Sequence, residues 1–334
     1  MHSKYIDILQ CPKTHQNLIL TSGEVDANGF IDQGTLSTEN GLISYQIKNG
    51  LPVFVPEESY ASSFGTEWKT WPKVQFESEN VGKPMEGFTK KMLEDITQYP
   101  ANLGEKTIAE FGCGSGRFID VLRKRNATAI GIEITQAAEV ANEVFKHDPN
   151  VLIVKADLLE PPFKDNSFTD AYTIGVLHHT PTPQQGIKEM KRVVKEAGTV
   201  TCRVYSKGGF YGYPSVIIFR FIYRILYKIL GGNTANALYF TYAKFSAKYL
   251  YTVFNAIRKI PLMGRAIAHV IEKFILVSVN LPDYSWRVLD VFDATTPTHA
   301  TTHTPAQVKS WFEEAGLLNI VNTKGANTFK AIVK

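Results

Sequence analysis

Cysteine is scarce in this chain: Cys11, Cys113 and Cys202 are the only three in 334 residues. Their scatter excludes a disulfide framework and points to a reducing compartment. A global excess of one charge is also missing, since 36 Lys and Arg against 32 Asp and Glu leave a net charge of +4. No internal repeat or low-complexity tract is present, which argues against a solenoid. Met1 to Gln10 carries Asp7 and lacks an apolar core of the length a secretory signal needs, so none is expected. A chain of this size suffices for one large domain with attachments and buries about 75% of its unfolded surface.

What stands out against this background is the run from Thr107 to Phe118. An apolar strand there delivers Glu110 directly into a loop with glycines at 112, 114 and 116. Glycine permits positive φ and close approach of a ligand because no Cβ intervenes. The helix expected from Arg117 to about Asn126 points its N-terminus at the same place. The spacing is G-x-G-x-G, whereas dinucleotide sites use G-x-G-x-x-G. Glu110 would repel a pyrophosphate, yet it suits a ligand that carries an ammonium and a sulfonium. S-adenosylmethionine is such a ligand.

Three more apolar runs end at the same edge. Ala129 to Glu133 places the Glu133 carboxylate where it can accept from both hydroxyls of a ribose. Val151 to Val154 leads to Asp157, placed to accept from an adenine amino group, and Asp170 to His179 ends in polar residues. Convergence of four strand tips on one crevice is how open α/β sheets bind ligands.

In this order, EFGCGSG, GIEIT, KADLLEPPF, YTIGVLHHTPTP and IKEMKRVVKEAGTV resemble the motifs of class I S-adenosylmethionine-dependent methyltransferases, strongly over residues 105 to 205 and weakly over 304 to 334. The resemblance implies an α/β, Rossmann-like fold with a seven-stranded sheet. It also implies a donor site made by Glu110, Gly112, Gly114, Gly116, Glu133, Ile134, Asp157, Leu158 and Gly175. Lys195-Glu196-Ala197-Gly198 departs from the proline and two glycines usual before strand five, a difference expected to alter a turn more than the chemistry.

Residues 1–60 resemble the small zinc-ribbon-like module found with some methyltransferases. Cys11-Pro12-Lys13-Thr14-His15 offers one cysteine and no second pair follows near Tyr45, so a metal-free β module is expected. Its turns are placed at Ala27-Asn28-Gly29 and Lys48-Asn49-Gly50. Residues 61–100 form an aromatic linker and leading helix; Trp68 and Trp71 there either pack on the main domain or form a flap over the donor. Residues 101–205 are the donor-binding core, 206–283 a helical insertion after strand five, and 284–334 an acceptor-side strip with the end of the sheet.

The insertion is basic, with ten Lys or Arg between Ser206 and Pro282 against the single acid Glu272, although the whole chain carries only +4. From Pro214 to Leu230, Arg220, Arg224 and Lys228 recur at helical spacing among large aliphatic residues, a helix too charged to span a bilayer but suited to lie on one. Three roles are open for it: a lid over the substrate pocket, a surface for a membrane or an anionic or lipid-linked substrate, and a homodimer or partner interface. Nucleic acid fits less well, because the basic residues are interleaved mainly with aliphatic side chains. The expected location is cytoplasmic, with the inner face of a membrane as the peripheral alternative.

Methyl transfer from a sulfonium is an in-line displacement, so alignment and proton removal are what an enzyme can add. His178 and His179 at the end of strand four and Tyr205 after strand five are the candidate bases; on an extended backbone only one histidine can face the substrate. Trp286, Asp290, His299 and His303 belong to a polar strip placed beside the acceptor. Asp290, Asp293, His299 and His303 match no strong metal motif, and no metal is expected. Thr304-Pro305 starts the last helix. The expected activity is methyl transfer to a small-molecule or lipid- or glycan-linked acceptor. RNA or protein methylation and a non-catalytic donor-binding scaffold are the alternatives.

Overall fold

The computed structural model describes residues 1–56, 71–278, 280–297 and 299–334; Trp68 lies outside them. Its strands are Leu18–Gly23 (β1), Gly34–Thr38 (β2), Ser44–Lys48 (β3), Leu51–Val53 (β4), Thr107–Phe111 (β5), Thr128–Glu133 (β6), Val151–Lys155 (β7), Phe168–Ile174 (β8), Val194–Arg203 (β9), Leu318–Asn322 (β10) and Thr328–Ile332 (β11). The principal helices are Phe88–Thr97 (α1), Arg117–Arg123 (α2), Ala137–Phe145 (α3), Pro183–Val193 (α4), Pro214–Leu230 (α5), Gly232–Phe245 (α6), Tyr251–Arg258 (α7), Gly264–Glu272 (α8), Tyr284–Thr295 (α9) and Pro305–Glu314 (α10).

All eleven strands join one sheet in the order β1-β2-β3-β4-β7-β6-β5-β8-β9-β11-β10. Strands β5 to β9 are parallel, and β11 and β10 close one side antiparallel. The seven strands from β7 to β10 correspond to the sheet expected from the sequence. The count of seven is corrected to eleven, because β4 pairs in parallel with β7 through Val53 and Lys155 and brings the N-terminal strands onto the sheet edge.

The parallel strands are apolar on both faces because both faces are covered. In β5, Ile108 points toward Leu93, Phe118 and Phe145 of α1, α2 and α3, whereas Ala109 and Phe111 point toward Ile187 of α4 and Phe312 of α10. Helix α10 begins as expected: Thr304 Oγ1 accepts from Gln307 N at 3.3 Å and Gln307 Oε1 accepts from Thr304 N at 2.9 Å, a reciprocal cap. The Lys195–Gly198 stretch remains within β9, with Ala197 at φ 61°. The Lys48-Asn49-Gly50 turn is a two-residue hairpin between β3 and β4 with positive φ at Asn49 and Gly50. Ala27-Asn28-Gly29 instead sits inside the longer connection from β1 to β2.

The insertion shares a third core with α9, in which Val216 and Tyr223 of α5 meet Tyr239 of α6 and Val288 and Phe292 of α9. Trp71 packs into it, with its ring 4.9 Å from that of Phe240. The segment expected as a polar strip is largely the helix α9, capped by Asp283, whose carboxylate accepts from Trp286 N at 3.1 Å.

Candidate active site

A cavity of about 520 Å³ lies at the carboxyl ends of β5, β6, β8 and β9. The glycine loop forms one side. Gly112 and Gly116 have φ of 84° and 90°, and a Cβ would fall 2.5 Å from Val176 Cγ1 and 2.6 Å from Phe145 Cε2, respectively. These two glycines therefore serve packing, and Gly114, at φ 53°, is the one of the three whose amide is held by an acid: it donates to Glu133 Oε2 at 3.0 Å. Glu133 Oε1 accepts from Thr135 N at 2.9 Å. Each carboxylate oxygen retains a second lone pair.

Glu110 is 2% exposed, and its Oε2 has no hydrogen-bond partner. Burial raises its carboxyl from the ordinary 4.5 to about 8. Arg117, the first residue of α2, lines the same cavity, and burial lowers its guanidinium to about 10 despite the attraction of Glu110 and Asp293. It is still charged near neutrality.

The opposite wall is made from β9, the turn after it and α9. The rings of Tyr205 and Tyr211 stack with centroids 3.5 Å apart and 6° between planes. Tyr205 Oη donates to Asp293 Oδ2 at 3.3 Å, and Tyr211 Oη donates to Asp290 Oδ1 at 3.3 Å. Enclosure and the neighbouring Asp290 raise Asp293 to about 6. Behind the tyrosines, Arg220 of α5 is buried, donates from Nε to Ala294 O at 2.7 Å and leaves Nη2 without a partner.

Of the residues singled out from sequence, Glu110, Gly112, Gly114, Glu133, Ile134, Leu158 and Gly175 line the cavity on the loop side. His179, Tyr205, Trp286 and Asp290 line it elsewhere, and Trp286 is fixed by donation from Nε1 to Asn80 Oδ1 at 3.1 Å. Gly116, Asp157, His178, His299 and His303 are not among the lining residues. Asp157 Oδ1 closes the turn after β7 by accepting from Leu159 N at 2.9 Å. His303 Nε2 pairs with Thr301 Oγ1 at 2.9 Å, and its ring meets Trp311. His299 contributes its carbonyl to His179 Nδ1 at 2.9 Å, so that nitrogen carries the proton.

Residues Leu177–His179 form a 3₁₀ turn, which corrects the extended backbone expected there. The two imidazoles are thus neighbours, 4.1 Å apart, with His178 wholly buried. Burial lowers His179 to about 3 and holds His178 well below its ordinary value. Asp293, held near 6 and lining the cavity, is a further candidate base. The sequence marks Arg117 only as a helix start, Tyr211 only as one of several aromatics suited to a greasy pocket, and Asp293 only as a metal candidate and a member of the acceptor-side strip. The three-residue spacing of Asp290 and Asp293 within a helix was the available signal. Among the described residues no group of three His, Cys, Asp or Glu is placed to hold a metal ion.

Residues 109–202 match a family model described as a methyltransferase domain. A demethylmenaquinone methyltransferase of Staphylococcus haemolyticus is 31% identical over 162 residues, covering 47% of this chain and 61% of the relative. One from Staphylococcus aureus strain JH9 is 33% identical over 162 residues, covering 47% and 60%. The chain thus spans less than two thirds of the length of these relatives. A solved S-adenosylmethionine-dependent methyltransferase of Thermotoga maritima covers 81% of this chain and 96% of its own, at 15% identity and a TM-score of 0.41. Glu110 lines the cavity with a buried carboxyl oxygen that makes no hydrogen bond, a feature suited to a cationic group.

Proposed function

We propose that the chain transfers the methyl group of S-adenosylmethionine to a small-molecule acceptor carrying a proton that Asp293 removes. One observation carries this reading: a single cavity has the glycine loop and the unsatisfied Glu110 oxygen on one side and the Tyr205–Asp293 and Tyr211–Asp290 pairs on the other.

When bound, the cofactor supplies an electrophilic methyl on a sulfonium. Glu110 would hold its cationic part, Arg117 its carboxylate, and Glu133, through the remaining lone pairs, its ribose hydroxyls. The backbone at Leu158, with Asp157 behind it, would border the adenine. On the opposite side the stacked tyrosines orient the acceptor, and Asp293, with one oxygen held by Tyr205, takes its proton. Trp286, Leu289 and Phe210 give that side an apolar lining. Most acceptor-side elements lie outside residues 109–202, so the acceptor named for the relatives is not carried over. The N-terminal strands are proposed to form a zinc-ribbon-like module, in which Cys11 Sγ lies 3.2 Å from Tyr45 Oη.

Calorimetric titration with S-adenosylmethionine, S-adenosylhomocysteine and NAD tests the donor side. Micromolar binding of the two sulfur ligands and none of NAD is expected. Binding of neither sulfur ligand would refute the proposal and favour a scaffold role.

A further inference from the structure

The insertion turns apolar side chains outward. Among the described residues, 18 of the 25 exposed large hydrophobic side chains lie between Ile217 and Ile275. In α5 the usual arrangement is inverted: Arg220 is buried, while Ile217, Ile218, Phe221, Ile222, Ile225 and Ile229 are exposed, Phe221 to 63% and Ile229 to 71%. Steps of three and four place these six in one stripe along the whole 17-residue helix. Arg224 and Lys228, both exposed, flank it. In the turn before α8, Leu262 is exposed completely and Met263 to 64%. An apolar face of this extent marks a contact surface.

We propose that the outer face of α5 docks on an anionic lipid bilayer, with the isoleucine and phenylalanine stripe at the boundary of headgroups and acyl chains and Arg224 and Lys228 against lipid phosphates. Charge complementarity selects this occupant. The insertion carries ten Lys or Arg and one acid between Ser206 and Pro282, so it calls for an anionic surface. A second copy would press like charges together across a two-fold axis. Geometry sets the mode: no described helix is long and apolar enough to cross a membrane, so α5 lies along the surface.

The inner face of the same helix presents Arg220, whose guanidinium carbon is 5.8 Å from the Tyr205 ring and 6.0 Å from the Tyr211 ring. A docked α5 is therefore also part of the wall behind the cavity. Resting on the methyl-transfer reading, this favours an acceptor carried by a lipid.

The test is co-sedimentation of the full chain with phosphatidylcholine vesicles, with and without phosphatidylglycerol. Binding is expected on the anionic vesicles and should weaken with added salt. Arg224→Gln with Lys228→Gln should weaken it about 30-fold, from about 1 kcal/mol per cation, and Phe221→Ser with Ile225→Ser should also weaken it. Both double variants alter exposed side chains and should keep the parent's melting temperature. Failure of the parent to bind anionic vesicles, or binding unchanged in both variants, overturns the proposal. So does a stable dimer that Phe221→Ser with Ile225→Ser dissolves. S-adenosylhomocysteine binding is measured separately: its absence with vesicle binding intact would remove the methyl-transfer reading and support docking alone.

Discussion

Replacing Glu110 with glutamine keeps the shape of a buried side chain and removes its titration. In the parent, burial raises this carboxyl from 4.5 to about 8. The contribution of the group to stability is therefore fully present below about pH 4.5 and is lost as pH rises through about 8. At pH 7 the unfolded chain is ionised and the folded chain protonated, which costs about 3 kcal/mol at roughly 1.4 kcal/mol per pH unit. Glutamine avoids that cost, so the variant should be more stable without ligand at pH 7. With an unfolding entropy of roughly 2 cal/mol/K per residue, its melting temperature should rise by roughly 4 °C. The same exchange removes the charge offered to the donor, and binding should fall roughly tenfold or more with the lost charge-assisted contact. Since about nine tenths of Glu110 is protonated at pH 7, donor binding to the parent should release about one proton, and binding to the variant none. Scanning fluorimetry across pH and calorimetry in buffers of different ionisation heat measure these quantities. A less stable variant, or no proton release from the parent, would refute the assignment of Glu110.

Asp293→Asn should lower kcat by about 10²- to 10⁴-fold while leaving donor affinity unchanged. The parent's kcat/KM should rise with pH through about 6, as Asp293 ionises; the same limb in the variant would exclude it as the base. Gly112→Ala forces a Cβ to 2.5 Å from Val176 at φ 84°, and the denaturation midpoint should fall by the equivalent of about 2–4 kcal/mol. An unchanged midpoint would show that the loop can relax. Thr304→Ala removes the cap of α10 and should cost about 1 kcal/mol in the same assay.

The glycine-loop side of the cavity was legible because its signal is local: an acid, three glycines and a helix start within ten residues. The reason for the glycines was not, since Val176 and Phe145, which crowd Gly112 and Gly116, are distant in the chain. The other side depends on Tyr205 meeting Asp293 and Arg220 meeting Ala294, pairs brought together only by folding. The apolar circumference of α5 could be read from its spacing, but which side would face outward depended on where α6 and α9 pack. Continuity of the N-terminal strands with the main sheet rests on one residue pair from the three-residue β4, too brief to leave a pattern.

That brief pairing shapes how the sheet ends. Without β4, the Lys155 end of β7 would offer unpaired backbone groups to a passing strand. With it, the outermost strands are β1 and β10, and each departs from regular register, between Leu20 and Ser22 and between Leu318 and Val321. A kinked border gives an incoming strand no continuous set of partners, so both margins resist extension from one molecule to the next.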